Sequence, residues 1–175
     1  MSLISRILGK RPDSREAARP LWHRVVEIAR EKLWYAQCGV ADTVAGRFDA
    51  ITLVLALVML RMERSGSGDG ALIGPSARLT ELFVEDMDGQ LRQSGVGDLV
   101  VGKHIGKLMN VMAGRIGALK EALAQDDSAL IAALERNVTL IEGADTARLA
   151  SEVRRLHAQI DALPDEALLA AEIAR

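Results

Sequence analysis

Gly97-Asp98-Leu99-Val100-Val101-Gly102-Lys103 has the G-x-x-x-x-G-K spacing of a loop that cradles phosphates with backbone N–H groups. Such a loop needs a buried strand before it, and a Ser or Thr hydroxyl after the lysine to hold Mg²⁺. Here His104 follows Lys103, Glu81 to Ser94 has a helical pattern, and the loop interior is bulky and apolar. The match is one of spacing alone, so no nucleotide is expected. Other chemistry-bearing residues are equally scattered. His23, His104 and His157 lie far apart and Cys38 is the single thiol, which makes no metal-ligand cluster. Asp86 and Asp88, two residues apart, point to different sides of a helix and form no acid–base pair. Nothing suggests a Ser-His-Asp set. The sequence therefore predicts a protein that is not an enzyme and takes no cofactor.

What the same region does offer is polar residues around glycine turns. Asp88 and Arg92 are four apart and can pair on one helical face, and Lys103 and Lys107 share a face of the next helix. Asp98 stands where that helix begins, where a carboxylate can accept free N–H groups. Gly95-Val96-Gly97-Asp98 thus reads as a helix stop, a tight corner and a helix start. Two roles are open for it: a purely structural corner, or a recognition surface built on one.

The elements that position these residues are helical. Apolar residues make up 49% of the 175 and aromatic residues only 3%, with Leu and Ala abundant and no alternating strand pattern. The expectation is an all-α fold, a single helical bundle of about seven helices without a sheet. A first helix is expected from Pro20 to Gln37, stopped by Gly39. Asp42-Thr43 look like the start of a second helix, which carries the run Ile51 to Leu60, apolar all round. Asp49 and Arg61 close that run short of the ~20 apolar residues a membrane span needs. It is expected to be a central helix buried by its neighbours, or one with a side left open for a partner. Ser65 to Gly70 is a loop. A third helix spans Pro75 to Ser94, with Leu79, Leu82, Phe83, Met87 and Leu91 inward. A fourth runs from Leu99 or Val100 to Leu123, with Val101, Ile105, Leu108, Met109, Met112, Ile116 and Leu119 inward. Gly102, Gly106, Gly114 and Gly117 interrupt it, implying close helix–helix approach or surface left for a partner backbone. Asp126-Asp127-Ser128 and Asp145-Thr146 cap two further helices, and Pro164 precedes a last one over 165–174. Cys38, among apolar neighbours, is expected to be buried.

The net charge of −2 predicts no specific binding of nucleic acid, but the charge is uneven. Residues 1–35 hold eight basic against four acidic residues, and residues 120–175 hold six against eleven. The basic end suits an anionic membrane or RNA, or is simply a solvated face. Leu3, Ile4, Ile7 and Leu8 would share one helical face there, and no signal peptide is apparent. The chain divides into a basic segment over 1–19, a helical core over 20–124, and an acidic Ala-rich extension over 125–175. That extension either packs on the core or dimerises.

Two stretches are more specific than composition. Asp42-Thr43-Val44-Ala45-Gly46-Arg47-Phe48-Asp49 resembles the D-T-x-x-G-R-F motif of the ubiquinol–cytochrome c chaperone family. Asp86-Met87-Asp88-Gly89-Gln90-Leu91-Arg92-Gln93-Ser94-Gly95-Val96-Gly97-Asp98, continuing through Val101, Gly102 and Lys103, resembles its D-M-D-x-x-L-R-x-x-G-V-G-D signature. Gly114-Arg115 resembles a further G-R pair, and Trp34-Tyr35 with Gly39-Val40 looks like the lead-in. The resemblance covers about Leu33 to Leu119. It implies a non-catalytic chaperone that binds newly made cytochrome b during assembly of the bc1 complex. It further implies a small partner protein and contact with the ribosome and the inner membrane. The chain looks like a bacterial, cytoplasmic relative, peripheral to the membrane. Arg47, Arg92, Lys103 and Arg115 would orient a client or form ion pairs that hold the corner. A reading from another class is a lipid or quinone carrier, motivated by the apolar run from Ile51 to Leu60.

Overall fold

The computed structural model describes residues 14–66, 72–93 and 98–175, without the side chains of 14, 15, 65, 66, 91 and 98–101. Among the described residues there are eight helical segments and no strand. They are α1 (Ser14–Ala29), α2 (Lys32–Ala36), α3 (Val44–Gly66), α4 (Ile73–Gln93), α5 (Asp98–Leu123), α6 (Asp127–Asn137), α7 (Thr146–Asp161) and α8 (Asp165–Leu169).

Helix α3 forms the axis of the bundle. Thr43 caps it: its Oγ1 accepts the N–H of Gly46 at 3.2 Å, one of the donors that a helix start leaves without an internal acceptor. Ala50 to Val58 are all buried, so the apolar run is a central helix covered by its neighbours. Those neighbours are α1, α4, α5 and α7. Helix α1 also lies along α4, where Trp22 and Phe83 meet edge to face at 6.0 Å. One hydrophobic cluster runs from Ala18 to Ile173, and residues 127–169 contribute to it through α6, α7 and α8.

The first helix differs from expectation. Pro20 lies inside α1 rather than in its first turn, and the helix ends at Ala29 instead of continuing to Gln37. Glu31 is extended (φ −60°, ψ 136°). The break is stabilised by side chains from beyond it. Trp34 Nε1 donates to the carbonyl of Ile28 at 2.7 Å and the Tyr35 hydroxyl to that of Ala29 at 2.8 Å. These are carbonyls at the end of α1 that have lost their helical donors. The chain turns at Gly39 (φ +72°), where a Cβ would lie 2.4 Å from the Cβ of Ala144. It then pairs briefly with the segment after α6: Ala41 N–H donates to Thr139 O and Ile141 N–H to Gly39 O, each at 2.9 Å.

The caps read from sequence are in place at the other end. Asp126 accepts Ala129 N–H and Asp145 accepts Arg148 N–H, both at 3.0 Å. The last helix is shorter than the expected 165–174. Ala171 takes a left-handed φ of 63°, and the N–H groups of Ala171 and Glu172 bond back to Leu168 and Ala167. That closure usually falls to glycine. It is held by Ile173, which is buried and whose carbonyl accepts two bonds from Arg24.

Of the two readings of the α5 glycines, the structure excludes close helix–helix approach. A Cβ at Gly102, Gly106, Gly114 or Gly117 would meet nothing within 4 Å, so no helix approaches closely there. All four are exposed. The reason is that α5 packs on α3, α4 and α6 through Leu108, Met112, Ile116 and Leu119, on its opposite side. Among the described residues, no helix is long and apolar enough to cross a membrane.

Candidate functional site

The turn from Gly39 into α3 places the first motif. Thr43 N–H donates to Ala41 O at 2.9 Å, which folds the chain tightly enough that Gly46 sits on the same carbonyl. A Cβ at Gly46 would lie 1.9 Å from Ala41 O, so the motif's glycine is required by close approach. Asp42 and Arg47 form an exposed ion pair at 2.7 Å. The hydrogen bond from Arg47 holds the Asp42 carboxyl below the usual range, and Asp42 in turn raises Arg47. Phe48 is half-buried, with the Arg115 guanidinium 5.5 Å from its ring centre.

Arg115 is where distant parts of the chain converge. It reaches from α5 to α3, where Nη2 donates to Asp49 Oδ1 and Nη1 to Thr52 Oγ1. The other carboxylate oxygen of Asp49 accepts the N–H and the hydroxyl of Thr139, at 2.8 and 2.6 Å. Asp49 is only 6% exposed, and three donors, one from Arg115 and two from Thr139, satisfy its buried carboxylate. Arg115 is thereby a structural ion-pair partner within the bundle. Asp49, Thr52 and Thr139 are the residues that sequence reasoning missed. The available signal was a carboxylate at the head of an entirely apolar helix, which requires a partner.

The remaining motif residues are more open. Asp88 and Arg92 pair at 2.7 Å on α4, as their spacing predicted. Lys103 is exposed on α5, as are Lys107 and Gly114. Gly95, Val96 and Gly97 lie outside the described residues, as do the side chains of Asp98 and Val101, and with them the corner itself.

Both motif stretches border one open groove of about 1260 Å³. Its apolar floor is Phe48, Ile51, Met87 and Leu108, and Val44 at its mouth is 90% exposed. Arg30, Lys32, Tyr35, Asp42, Arg47 and Gln90 supply its polar groups. Asp42 is already paired with Arg47, and no nucleophile lies beside a base here. The groove thus joins an apolar floor to a polar, charged rim.

Elsewhere, Cys38 is buried as expected, and burial raises its thiol pKa. His157 is half-buried, and burial, with Arg64 and Arg154 nearby, lowers its pKa against the opposing effect of Asp161. Among the described residues, no three His, Cys, Asp or Glu side chains gather to hold a metal.

The family model described as Ubiquinol-cytochrome C chaperone matches residues 36–175. The match includes the acidic extension, which carries no motif legible in the sequence. The crystal structure of the Cbp3 homolog from Brucella abortus is 32% identical to this chain and superposes with a TM-score of 0.82. That similarity covers 98% of this chain and 96% of the other. No curated protein matches the chain.

Proposed function

The chain belongs to the ubiquinol–cytochrome c chaperone family, and from that premise we propose that it binds newly made cytochrome b during assembly of the ubiquinol–cytochrome c reductase, without catalysis of its own. The observation that carries this reading is the family match over residues 36–175, together with a shared fold along nearly the whole chain. The site supports it in kind. The motif residues divide into an ion pair inside the bundle (Asp49 and Arg115) and exposed residues at the surface (Arg47, Arg92 and Lys103), of which Arg47 and Arg92 also pair with Asp42 and Asp88. The exposed glycines of α5 leave backbone uncovered. The protein would act on the cytoplasmic side of a bacterial inner membrane, as a peripheral component.

Affinity purification from the native host, with partners identified, tests the client directly. Cytochrome b should be recovered with the chain, and reversal of Arg92 and Lys103 together should reduce its recovery while leaving the thermal midpoint unchanged. A small partner protein or ribosomal proteins would appear in the same eluate. A deletion strain with normal levels of assembled reductase would refute the client assignment.

A further inference from the structure

We propose that the groove between α2, the start of α3, α4 and α5 is a membrane-docking site that takes an acyl chain of an anionic phospholipid, with the lipid's phosphate held between Arg30 and Lys32. The charges around the mouth point to an anion. Of the nearby carboxylates, Glu27 is engaged by Arg24, Glu31 by Arg175 and Asp42 by Arg47, while Glu85 and Asp86 border the neighbouring cavity on the other side of Arg30. Arg30 and Lys32 remain exposed with no carboxylate partner among the described residues, so the rim is net cationic. Tyr35 stands between rim and floor. Its phenol pKa is raised by burial, with Arg47 and Arg30 opposing that shift and Asp42 adding to it. An apolar floor topped by a tyrosine and several cations is the arrangement that settles at a membrane–water boundary.

The alternative occupant is an apolar helix of a protein client. The cationic rim disfavours it. On the cytoplasmic side, the flanks of membrane-spanning helices carry an excess of Lys and Arg, which Arg30 and Lys32 would repel. The lipid surface on that side is anionic and attracts them. The groove's openness, with Val44 standing 90% exposed at its mouth, fits a lipid that remains in its bilayer rather than one carried away. Docking here is separate from the client reading, since it needs neither cytochrome b nor any other protein.

Flotation of the full chain with vesicles tests it. The wild type should float with vesicles containing 30% phosphatidylglycerol in phosphatidylcholine, and not with pure phosphatidylcholine. Each basic residue near an anionic surface contributes about five-fold to binding, so Arg30→Gln/Lys32→Gln should weaken it roughly 25-fold. Val44→Asp separates the apolar contribution from the charge at the rim. An acidic residue in the first turn suits the helix start, so the fold is kept while insertion is opposed. This variant should weaken binding by at least about ten-fold with no fall in thermal midpoint. Failure of the wild type to float with phosphatidylglycerol would overturn the proposal, as would either variant floating within two-fold of the wild type. So would protection of Val44–Ile51 from amide exchange by a Leu-rich helical peptide but not by the vesicles, which would give the groove to a protein client.

Discussion

Replacing Arg115 by Met tests the claim that this residue holds the bundle together. The substitution keeps much of the side chain's length and its contact with Phe48, but removes the donors to Asp49 and Thr52. Asp49 would keep its two bonds from Thr139 and remain almost inaccessible to water. Removing one partner of a buried ion pair costs about 3–5 kcal/mol, chiefly through the stranded charge. The donors left from Thr139 place this case near the lower end, at about 3 kcal/mol. For a chain of this size, that lowers the thermal midpoint by about 6–12 °C. The double variant Asp49→Asn/Arg115→Met carries no stranded charge and should lose less than the two single variants added together, with a coupling of about 2 kcal/mol. Thermal and urea unfolding followed by circular dichroism would measure both. A cost below about 1 kcal/mol for Arg115→Met, or strictly additive single variants, would refute the reasoning. Arg47→Met, at the exposed pair with Asp42, serves as the control and should leave the midpoint unchanged.

The two motif glycines should respond with opposite sign. Gly46→Ala drives a methyl group into Ala41 O and should cost about 1–3 kcal/mol, whereas Gly114→Ala, in open space on a helix, should stabilise by about 0.4–1 kcal/mol. Urea midpoints decide the matter, and a neutral Gly46→Ala would disprove the close approach. The lowered pKa of His157 means that the unfolded chain binds the extra proton first as pH falls. Stability should therefore be fully present above pH 6.5 and decline as the pH falls below it, and His157→Gln should flatten that slope. An unaltered slope would remove His157 from the account. Cys38, buried with a raised thiol pKa, should react with a disulfide reagent only after urea unfolding. Labelling of the native protein at the unfolded rate would contradict that burial.

What was legible in the sequence was mostly local. The Thr43 cap and the all-apolar run of α3 depend on residues within a few turns of one another, and both were read correctly. The α1–α2 break was not, because it rests on Trp34 and Tyr35 reaching six residues back to backbone carbonyls, which no periodicity reveals. The same limit hid the Asp49 cluster. Its partners lie 66 and 90 residues away, and one of them, Thr139, stands in a segment with no motif at all. Exposed and approached glycines look alike in a sequence. Only packing separated Gly46, wedged against a carbonyl, from the four open glycines of α5.

The contact between Asp49 and Thr139 also sets a clock. The two residues are 90 positions apart, so the carboxylate is synthesised long before its partner. At synthesis rates of about 5–20 residues per second, the gap is roughly 5–18 seconds. Until Arg115 follows, 66 positions on, the head of α3 has no internal counter-charge, and until Thr139 follows the turn at Ala41 lacks its backbone partner. A protein whose family assists the assembly of others thus spends its own first seconds with its central helix unable to be sealed.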